Sequence, residues 1–341
     1  NGAVPDHAGL LPAAAQGAVR QMMGTLSYLM FFATVASIFA IATLGLNLQW
    51  GFSGQFNAGV VGFMAIGAYT YAALTAPAQH EHVGGLGWPV IAALAAAMVV
   101  TVLVALAIGR LTIRLRTDYL ALATFGIAAA INHLALNLEG VTGGGRGIAG
   151  IAKPFADLPP FWFGLAFLAL VAVVLALIYL MLERLVRSPW GRALRAVRED
   201  EVAAAALGKD VDRLRLTAFV LGAAPMGLAG ALYAAFIGYV SPYDFLAIVT
   251  FQIWAMLIVG GSGNNAGAVL GAFVVWALWS MSGIVVVQIV PTQLQVQGGA
   301  IQAILIGVLL IAMLVFRPRG LMGERLHSSP LLRDDGAVGQ R

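Results

Sequence analysis

The stretch WPVIAALAAAMVVTVLVALAIG at residues 88–109 contains no charged side chain and a single hydroxyl group. The hydrocarbon core of a bilayer is about 30 Å thick, and a helix needs about 20 apolar residues to cross it. Every backbone amide in that core must be bonded within the protein, and a continuous apolar run achieves this as a helix. The stretch therefore predicts a membrane-spanning helix.

Eight further apolar runs accompany it. Hydrophobic residues make up 60% of the 341 residues and charged residues only 10%, whereas soluble domains are about half apolar and a quarter charged. The sequence predicts an all-α fold, a polytopic transmembrane helix bundle of about nine membrane segments within a range of eight to ten. This composition excludes a soluble globule, and the continuous, non-alternating runs exclude an outer-membrane barrel. The other predicted segments are Tyr28 to Leu46, Ala58 to Thr75, Tyr119 to Leu138, Phe161 to Leu182, Leu216 to Ile237, Phe245 to Val259, Ala266 to Val287 and Gln302 to Phe316.

The arginines predict the orientation of these segments. They cluster at 110–116, at 187–215 and at 317–325, between or after the apolar runs, and basic residues favour the cytoplasmic side. The loop around Glu81, the stretch Glu139 to Pro160 and the turn near Pro242 then lie outside.

The net charge of +4 follows from this topology, so no nucleic-acid partner is expected. The absence of cysteine excludes disulfides, thiolate zinc sites and cysteine nucleophiles.

The run QWGFSGQFN at residues 49–57 interrupts the apolar pattern. Its glycines and amide side chains join two apolar segments too closely for an ordinary loop, which predicts a broken or re-entrant helix. Such backbone persists at membrane depth only where protein or a water-filled path covers it. The run is therefore a candidate part of a translocation path, and a tight interfacial turn is the alternative. The path candidates in this run are Gly51, Ser53, Gly54, Gln55 and Asn57.

The stretch RSPWGRALRAVREDEVAAAALGKD at residues 187–210 predicts one cytoplasmic helix between membrane segments, ending near Gly208. Charged side chains on a short rigid helix can dock into a groove of a partner and transmit its motion. The alternative is an amphipathic helix lying on anionic lipid, which the interspersed acids disfavour. The predicted coupling residues are Gly191, Arg192, Arg195, Arg198, Glu199, Asp200, Glu201, Ala204 and Gly208.

Polar residues are rare inside the predicted membrane segments. Asn132, His133 and Asn137 in the fourth segment are candidates for the path, with His133 and Asn137 on one helical face. A histidine bonded to a neighbouring helix is the alternative for His133.

The outer run TGGGRG at residues 142–147 could form a gate or a contact with a binding protein, or be a loose exposed loop. Its candidate residues are Thr142, Gly143, Gly144 and Arg146.

The stretch 187–215 resembles the coupling-helix region of bacterial ABC-importer permeases, and most closely that of LivM-type branched-chain amino acid permeases. Four other stretches are similar to that family in the same order. They are LGLNLQWGFSGQFNAGVVGFMAIGAYT at 44–70, RTDYLALATFGIAAAINHLALN at 116–137, LEGVTGGGRGI at 138–148 and GGSGNNAGAVLGA at 260–272.

The resemblance implies an importer subunit in the bacterial inner membrane. Its implied partners are a second, LivH-like permease, two cytoplasmic ATPases, an external substrate-binding protein and membrane lipid. ATP and Mg would be bound by the ATPases, with no cofactor in this chain, which has no phosphate-binding G-x-x-x-x-G-K-[ST] motif. The predicted organisation is an amino-terminal extension at 1–24, a permease domain at 25–320 with its coupling loop at about 184–215, and a disordered cytoplasmic tail at 321–341.

The resemblance leaves the substrate open. Branched-chain amino acids are the family default, with urea, short amides or other amino acids as alternatives. Family members often carry charged residues where this chain has AAAINH at 128–133, which bears on the substrate. The competing functions are a stand-alone secondary transporter or channel, and a membrane-embedded enzyme, for which no metal-binding or nucleophile motif is visible.

Overall fold

The computed structural model describes residues 13–78, 83–289, 298–317 and 320–323. The described residues form a helical bundle, and each of the nine predicted membrane segments coincides with one helix. The helices are α1 (Ala13–Leu46), α2 (Val60–Thr75), α3 (Val90–Thr112), α4 (Thr117–Asn137), α5 (Glu139–Thr142), α6 (Pro160–Arg187), α7 (Pro189–Glu199), α8 (Glu201–Ala206), α9 (Val211–Ile237), α10 (Ala247–Gly260), α11 (Asn265–Ile289) and α12 (Gly298–Phe316).

Short irregular elements connect the helices. α1 continues as a π-helix at Asn47–Phe52, and 3-10 turns form at Gly144–Arg146 and Pro242–Phe245. Two short strands, β1 (Ile148–Ala149) and β2 (Tyr239–Val240), pair antiparallel with Ile148 opposite Val240.

Six helices of the described chain are long and apolar enough to cross a membrane. In the most apolar window of α6 only 22% of the residues are buried, against 72% in α9, although both windows are apolar. Apolar side chains therefore cover the outside of the bundle as well as its inside, as lipid requires. The shorter apolar helices α2 and α10 have 16 and 14 residues. The chain is a multi-pass membrane protein.

Helix α9 lies at the centre, packed against α1, α2 and α3 through small residues. A Cβ atom on Gly67 of α2 would collide with the backbone of Gly227 in α9. A Cβ atom on Gly45 of α1 would likewise collide with the carbonyl group of Gly222. Because these positions lack side chains, the backbones approach closely enough to bury the middle of α9.

The predicted basic segments all lie at one end of the bundle, here termed the α7 end. Arg114 in the loop after α3 forms an ion pair with Asp212 at the start of α9, at 3.3 Å. After α12, the Leu321 N–H donates to the Val259 carbonyl group at 2.8 Å, which brings the chain back to the end of α10. The predicted outer stretches, with β1 and β2, lie at the opposite end. Glu81 and Arg325 lie outside the described residues.

The domain boundaries stay predictions. α1 begins at Ala13, within the predicted extension at 1–24, and residues 324–341 of the predicted tail lie outside the described residues.

Candidate functional site

Helix α7 packs by one apolar face onto the end of the membrane bundle. Its buried residues Gly191, Leu194 and Val197 follow the three-residue spacing of one helical face. Gly191 lies against the Val186 carbonyl group so closely that any side chain would collide with it. Arg192 is exposed and Arg195 is half-buried, so the basic side chains border the packed face.

The prediction of one continuous cytoplasmic helix is wrong, because the chain breaks at Asp200. Asp200 is extended, with φ −149° and ψ 105°, and its Oδ1 accepts the N–H of Ala203 at 2.9 Å. This bond caps the start of α8, an arrangement that aspartate favours outside a helix interior. Ala204 is the buried residue of α8, and Gly208, with φ +75°, follows its end as predicted. α7 and α8 thus form two short helices joined by a cap.

Arg198 connects α7 to the run at residues 49–57, here termed the broken segment. Its guanidinium group donates to the Gly51 carbonyl oxygen in the π-helix and pairs with Glu199 at 2.7 Å. The side chain of Arg198 is 21% exposed, against 71% for Glu199. Its Cγ also lies against Gly54, which has φ +71° and leaves room for it. A single arginine therefore packs against both ends of the turn at residues 51–54.

A second contact joins the broken segment to the start of α9. Gln55 Nε2 donates to the Arg215 carbonyl oxygen at 3.0 Å and also to the hydroxyl group of Ser53. The Arg215 guanidinium group pairs with Glu201 of α8 at 3.2 Å. α7 is thus bonded to the broken segment directly, through Arg198. α8 is bonded to it through Arg215, which pairs with Glu201 and accepts the bond from Gln55.

The predicted break in the helix is confirmed. Residues 54–59 are non-helical between the π-helix and α2, yet Gln49, Gln55 and Asn57 are fully buried. Asn57 Nδ2 donates to Gln49 Oε1 at 2.7 Å, and Gln49 Nε2 donates to the Phe219 carbonyl oxygen at 2.6 Å. Trp254 Nε1 donates to the Asn57 carbonyl oxygen at 3.0 Å. Protein groups thus bond the side chains of Gln49 and Asn57 and the Asn57 carbonyl oxygen, as a low-dielectric surrounding requires.

Two threonines that no sequence pattern indicates hold the start of α2. Thr124 Oγ1 of α4 accepts the N–H of Ala58 at 3.0 Å, and Thr250 Oγ1 of α10 accepts the N–H of Val61 at 3.2 Å. The first amides of a helix have no partner within it, so the Thr250 hydroxyl replaces a capping residue for Val61, while Thr124 fixes the chain just before the N-cap Gly59. Because both bonds are long-range, sequence spacing gives no signal for them.

A cavity of about 280 Å³ lies beside the start of α2, between α4 and α10. Its polar lining comes from Asn132, His133 and Thr250, and the remaining lining is apolar or aromatic. Asn132 Nδ2 donates to the carbonyl oxygens of Pro242 at 2.6 Å and Phe245 at 3.2 Å. The His133 side chain, by contrast, is exposed.

The structure brings only some of the path candidates together. Asn132 and His133 line the cavity, while Asn137 bonds to the His133 carbonyl oxygen of its own helix at 2.7 Å. The broken segment meets the cavity through Ala58, the residue directly after Asn57. Gly51 and Gly54 instead contact Arg198 of α7. Ser53 accepts a bond from Gln55, which bonds to Arg215 of α9.

The run at 142–147 is a tightly bonded loop at the opposite end. Thr142 Oγ1 donates to the Ala135 carbonyl oxygen at 2.6 Å, and Tyr239 donates to the Arg146 carbonyl oxygen at 2.8 Å. Gly143, Gly144 and Gly147 have positive φ. The backbone of the loop is therefore fixed, while the side chain of Arg146 is exposed.

The turn Pro242–Phe245 borders the cavity on the same side. Asp244 and Ser241 form a reciprocal capping box, in which Asp244 Oδ2 accepts the Ser241 N–H at 2.8 Å. Burial raises the pKa of the Asp244 carboxyl group, and the bond from Ser241 opposes that rise.

Comparison of the sequence with known proteins identifies the family of this chain. The family model described as the branched-chain amino acid transport system permease component matches residues 28–314. The chain belongs to this family.

Individual relatives support the assignment. The chain is 35% identical over 317 residues to the high-affinity branched-chain amino acid transport system permease protein LivM of Escherichia coli, covering 85% of this chain and 69% of that protein. It is 26% identical to a probable LivM of Methanocaldococcus jannaschii, covering 87% and 93%. It is also 26% identical to LivH of Escherichia coli, covering 71% and 80%. No solved structure matches the chain.

The matched region includes all the site residues described above. It begins in α1 and ends within α12, so α7, α8, the broken segment and the cavity all lie within the residues that the family model matches.

Proposed function

We propose that this chain is a permease subunit of an ATP-driven importer in the bacterial inner membrane, and that it forms half of a translocation path for branched-chain or other aliphatic amino acids. One observation carries the proposal. Arg198 of α7 bonds into the buried broken segment that leads to the start of α2 beside the cavity. A helix outside the membrane is thus mechanically joined to the lining of the candidate path.

The proposed partners match the features at the two ends of the bundle. α7 and α8 present charged and exposed residues at the α7 end, which suits docking by cytoplasmic ATPases that bind ATP and Mg. A second, LivH-like permease completes the path, and a substrate-binding protein delivers the solute at the opposite end. The similarity to both LivM and LivH supports a pair of related membrane subunits.

The substrate class is supported by the cavity. Its aliphatic and aromatic lining, which includes Val61, Phe125 and Leu136, offers an apolar surface to an aliphatic side chain. His133 and Thr250 supply polar atoms for the ammonium or carboxylate group of an amino acid. The cavity lining contains no Asp, Glu, Lys or Arg among the described residues, so a charged side chain would lack a counter-ion there.

The test is reconstitution of the complete system. We would co-express this chain with a LivH-like permease and the ATPases, purify the complex in mild detergent and place it in liposomes with the binding protein. Uptake of leucine, isoleucine and valine would be compared with that of urea, glutamate and lysine. Matched liposomes would contain a non-hydrolysable ATP analogue.

We expect the ATPases to co-purify and uptake of the aliphatic amino acids to require both ATP hydrolysis and loaded binding protein. Solute flux from this chain alone, driven by an ion gradient, would contradict the proposal and support the secondary-transporter alternative. ATP-dependent uptake of urea or of a charged amino acid in place of leucine would retain the importer but overturn the substrate class.

A further inference from the structure

Three polar side chains near the α7 end, Glu183, Asn265 and Asn47, have no part in the function proposed above. They come from three different elements: α6, the start of α11 and the π-helix. Asn265 Nδ2 donates to Glu183 Oε2 at 2.8 Å, and Asn47 Nδ2 donates to Asn265 Oδ1 at 3.0 Å. Asn47 Oδ1 in turn accepts the N–H of Gly263 at 2.9 Å. We term these three residues the amide relay.

The amide relay is buried and tightly fitted. Asn47 is 0% exposed and Asn265 is 2% exposed, while the Glu183 side chain is 26% exposed and pairs with Arg187 through its other oxygen. A Cβ atom on Gly51 would collide with Asn47 Oδ1, so the bond from Gly263 depends on a glycine there. Each donor and acceptor in a buried network is costly to leave unpaired.

The position of the amide relay indicates its role. Glu183 lies one turn before the end of α6, which leads directly into α7. Asn47 lies one turn before Gly51, whose carbonyl group accepts the bond from Arg198. The π-helix is therefore held at one turn by α7 and at the preceding turn by α6, with the α10–α11 turn between them.

We infer that Glu183, Asn265 and Asn47 are positioning residues for energy coupling. They fix the π-helix and the α10–α11 turn to the base of α6, so that a displacement of α7 is passed to the broken segment and the start of α2. Without them, α7 would still bind its partner, but its movement would be absorbed by the loosened π-helix. This inference rests on the proposed function.

The experiment exchanges the hydrogen-bonding groups of the amide relay. Asn265→Asp places a carboxylate group opposite Glu183, so the bond is replaced by repulsion. The double variant Glu183→Gln/Asn265→Asp restores a donor facing an acceptor, because the introduced glutamine amide can donate to the new carboxylate, which still accepts from Asn47. The matched control is Asn264→Asp. Asn264 Oδ1 caps α11 by accepting the N–H groups of Ala266 and Gly267, and aspartate keeps that cap while losing only the long bond from Nδ2 to the Gly323 carbonyl oxygen at 3.4 Å.

The measured quantity is transport per ATP hydrolysed, at equal amounts of assembled complex in liposomes. We expect a loss of about fivefold or more in Asn265→Asp, since a buried polar bond is broken. The double variant should recover to within about twofold of wild type, and Asn264→Asp should match wild type. A merely structural role would lower the amount of assembled complex and leave the ratio unchanged.

An unchanged ratio in Asn265→Asp, or no recovery in the double variant, would overturn the inference. If Asn265→Asp does not assemble, Glu183→Ala cuts the amide relay at its most exposed member, and the same ratio decides. Transport by the wild-type complex without ATP would contradict the proposed function itself, so the two failures are distinguishable.

Discussion

Arg198 is the side chain that joins α7 to the broken segment, and its substitution tests that joint. Arg198→Gln removes the charged bond to the Gly51 carbonyl oxygen and the packing against Gly54. We expect ATP-dependent uptake in liposomes to fall about tenfold, because bonds to charged donors are among the stronger ones.

The control for Arg198 is Arg114→Gln at the same end of the bundle. Arg114 pairs with Asp212, but its side chain is 85% exposed, and exposed pairs contribute little. Uptake should stay near the wild-type rate. Equal losses in both variants would mean that uptake depends on basic charge in general and not on the Arg198 bond.

Gly67 tests the packing of α2 against α9. Gly67→Ala would place a methyl group against the Gly227 backbone, which cannot move as a flexible side chain could. We expect a loss of about 1–3 kcal/mol in the free energy of unfolding. Thermal unfolding in detergent, followed by tryptophan fluorescence, measures it.

The control for Gly67 is Gly126→Ala in α4. No atom lies within 4 Å of a Cβ added to Gly126, so alanine should be tolerated or slightly stabilising through its helix propensity. A midpoint lowered equally in both variants would contradict the close approach of α2 and α9.

At the scale of elements, the loop at residues 142–147 depends on the backbone of Gly147. Gly147 has φ +71°, and a Cβ atom there would collide with the Val240 carbonyl group in β2. Gly147→Ala should cost about 1–3 kcal/mol and expose the β1–β2 amides to hydrogen exchange. In Gly145→Ala the new methyl group would meet only the Tyr243 side chain, at 3.5 Å from its hydroxyl oxygen, so exchange should stay unchanged. Equal exchange in the two variants would indicate that the loop is not built on Gly147.

The break between α7 and α8 depends on the cap formed by Asp200. Asp200→Ala removes the acceptor for the Ala203 N–H, and we expect α8 to lose about 1 kcal/mol, seen as faster hydrogen exchange at 201–206. Asp200→Asn keeps an acceptor and should protect α8 as wild type does. If Asp200→Asn abolishes uptake while exchange stays normal, the carboxylate charge also acts at the partner interface.

For the whole molecule, hydropathy predicted the bundle because every spanning segment in lipid must be apolar and must bond its own backbone groups. Each apolar run became a helix, and the amide-rich run at 49–57 became a buried break. The sequence did not predict the break at Asp200, because the residues before it and the alanines after it both suit a helix. Only the capping bond of the Asp200 side chain decides where the helix divides. The available signal was an aspartate three residues before Ala203, at capping distance.

The contacts between distant segments could not be predicted. Thr124, Thr250 and Asn265 bond to residues 66, 189 and 218 positions away, and no local pattern encodes which helices become neighbours. A lone acid at the end of an apolar run, as at Glu183, was the one local sign of the amide relay. His133 could be placed on the same helical face as Asn137, but not beside a cavity.

Site-directed cross-linking can show whether α7 is the docking helix for a cytoplasmic ATPase. The chain has no native cysteine, so Ala196→Cys on the exposed side of α7 introduces the sole thiol, and Gly145→Cys does so at the opposite end. In membranes that contain the co-expressed ATPases, we expect the thiol at position 196, and not the one at 145, to cross-link to an ATPase with a yield that changes on adding ATP. If position 196 gives no ATPase adduct and is labelled instead by a lipid-phase probe, α7 lies on the membrane surface and is not the docking helix.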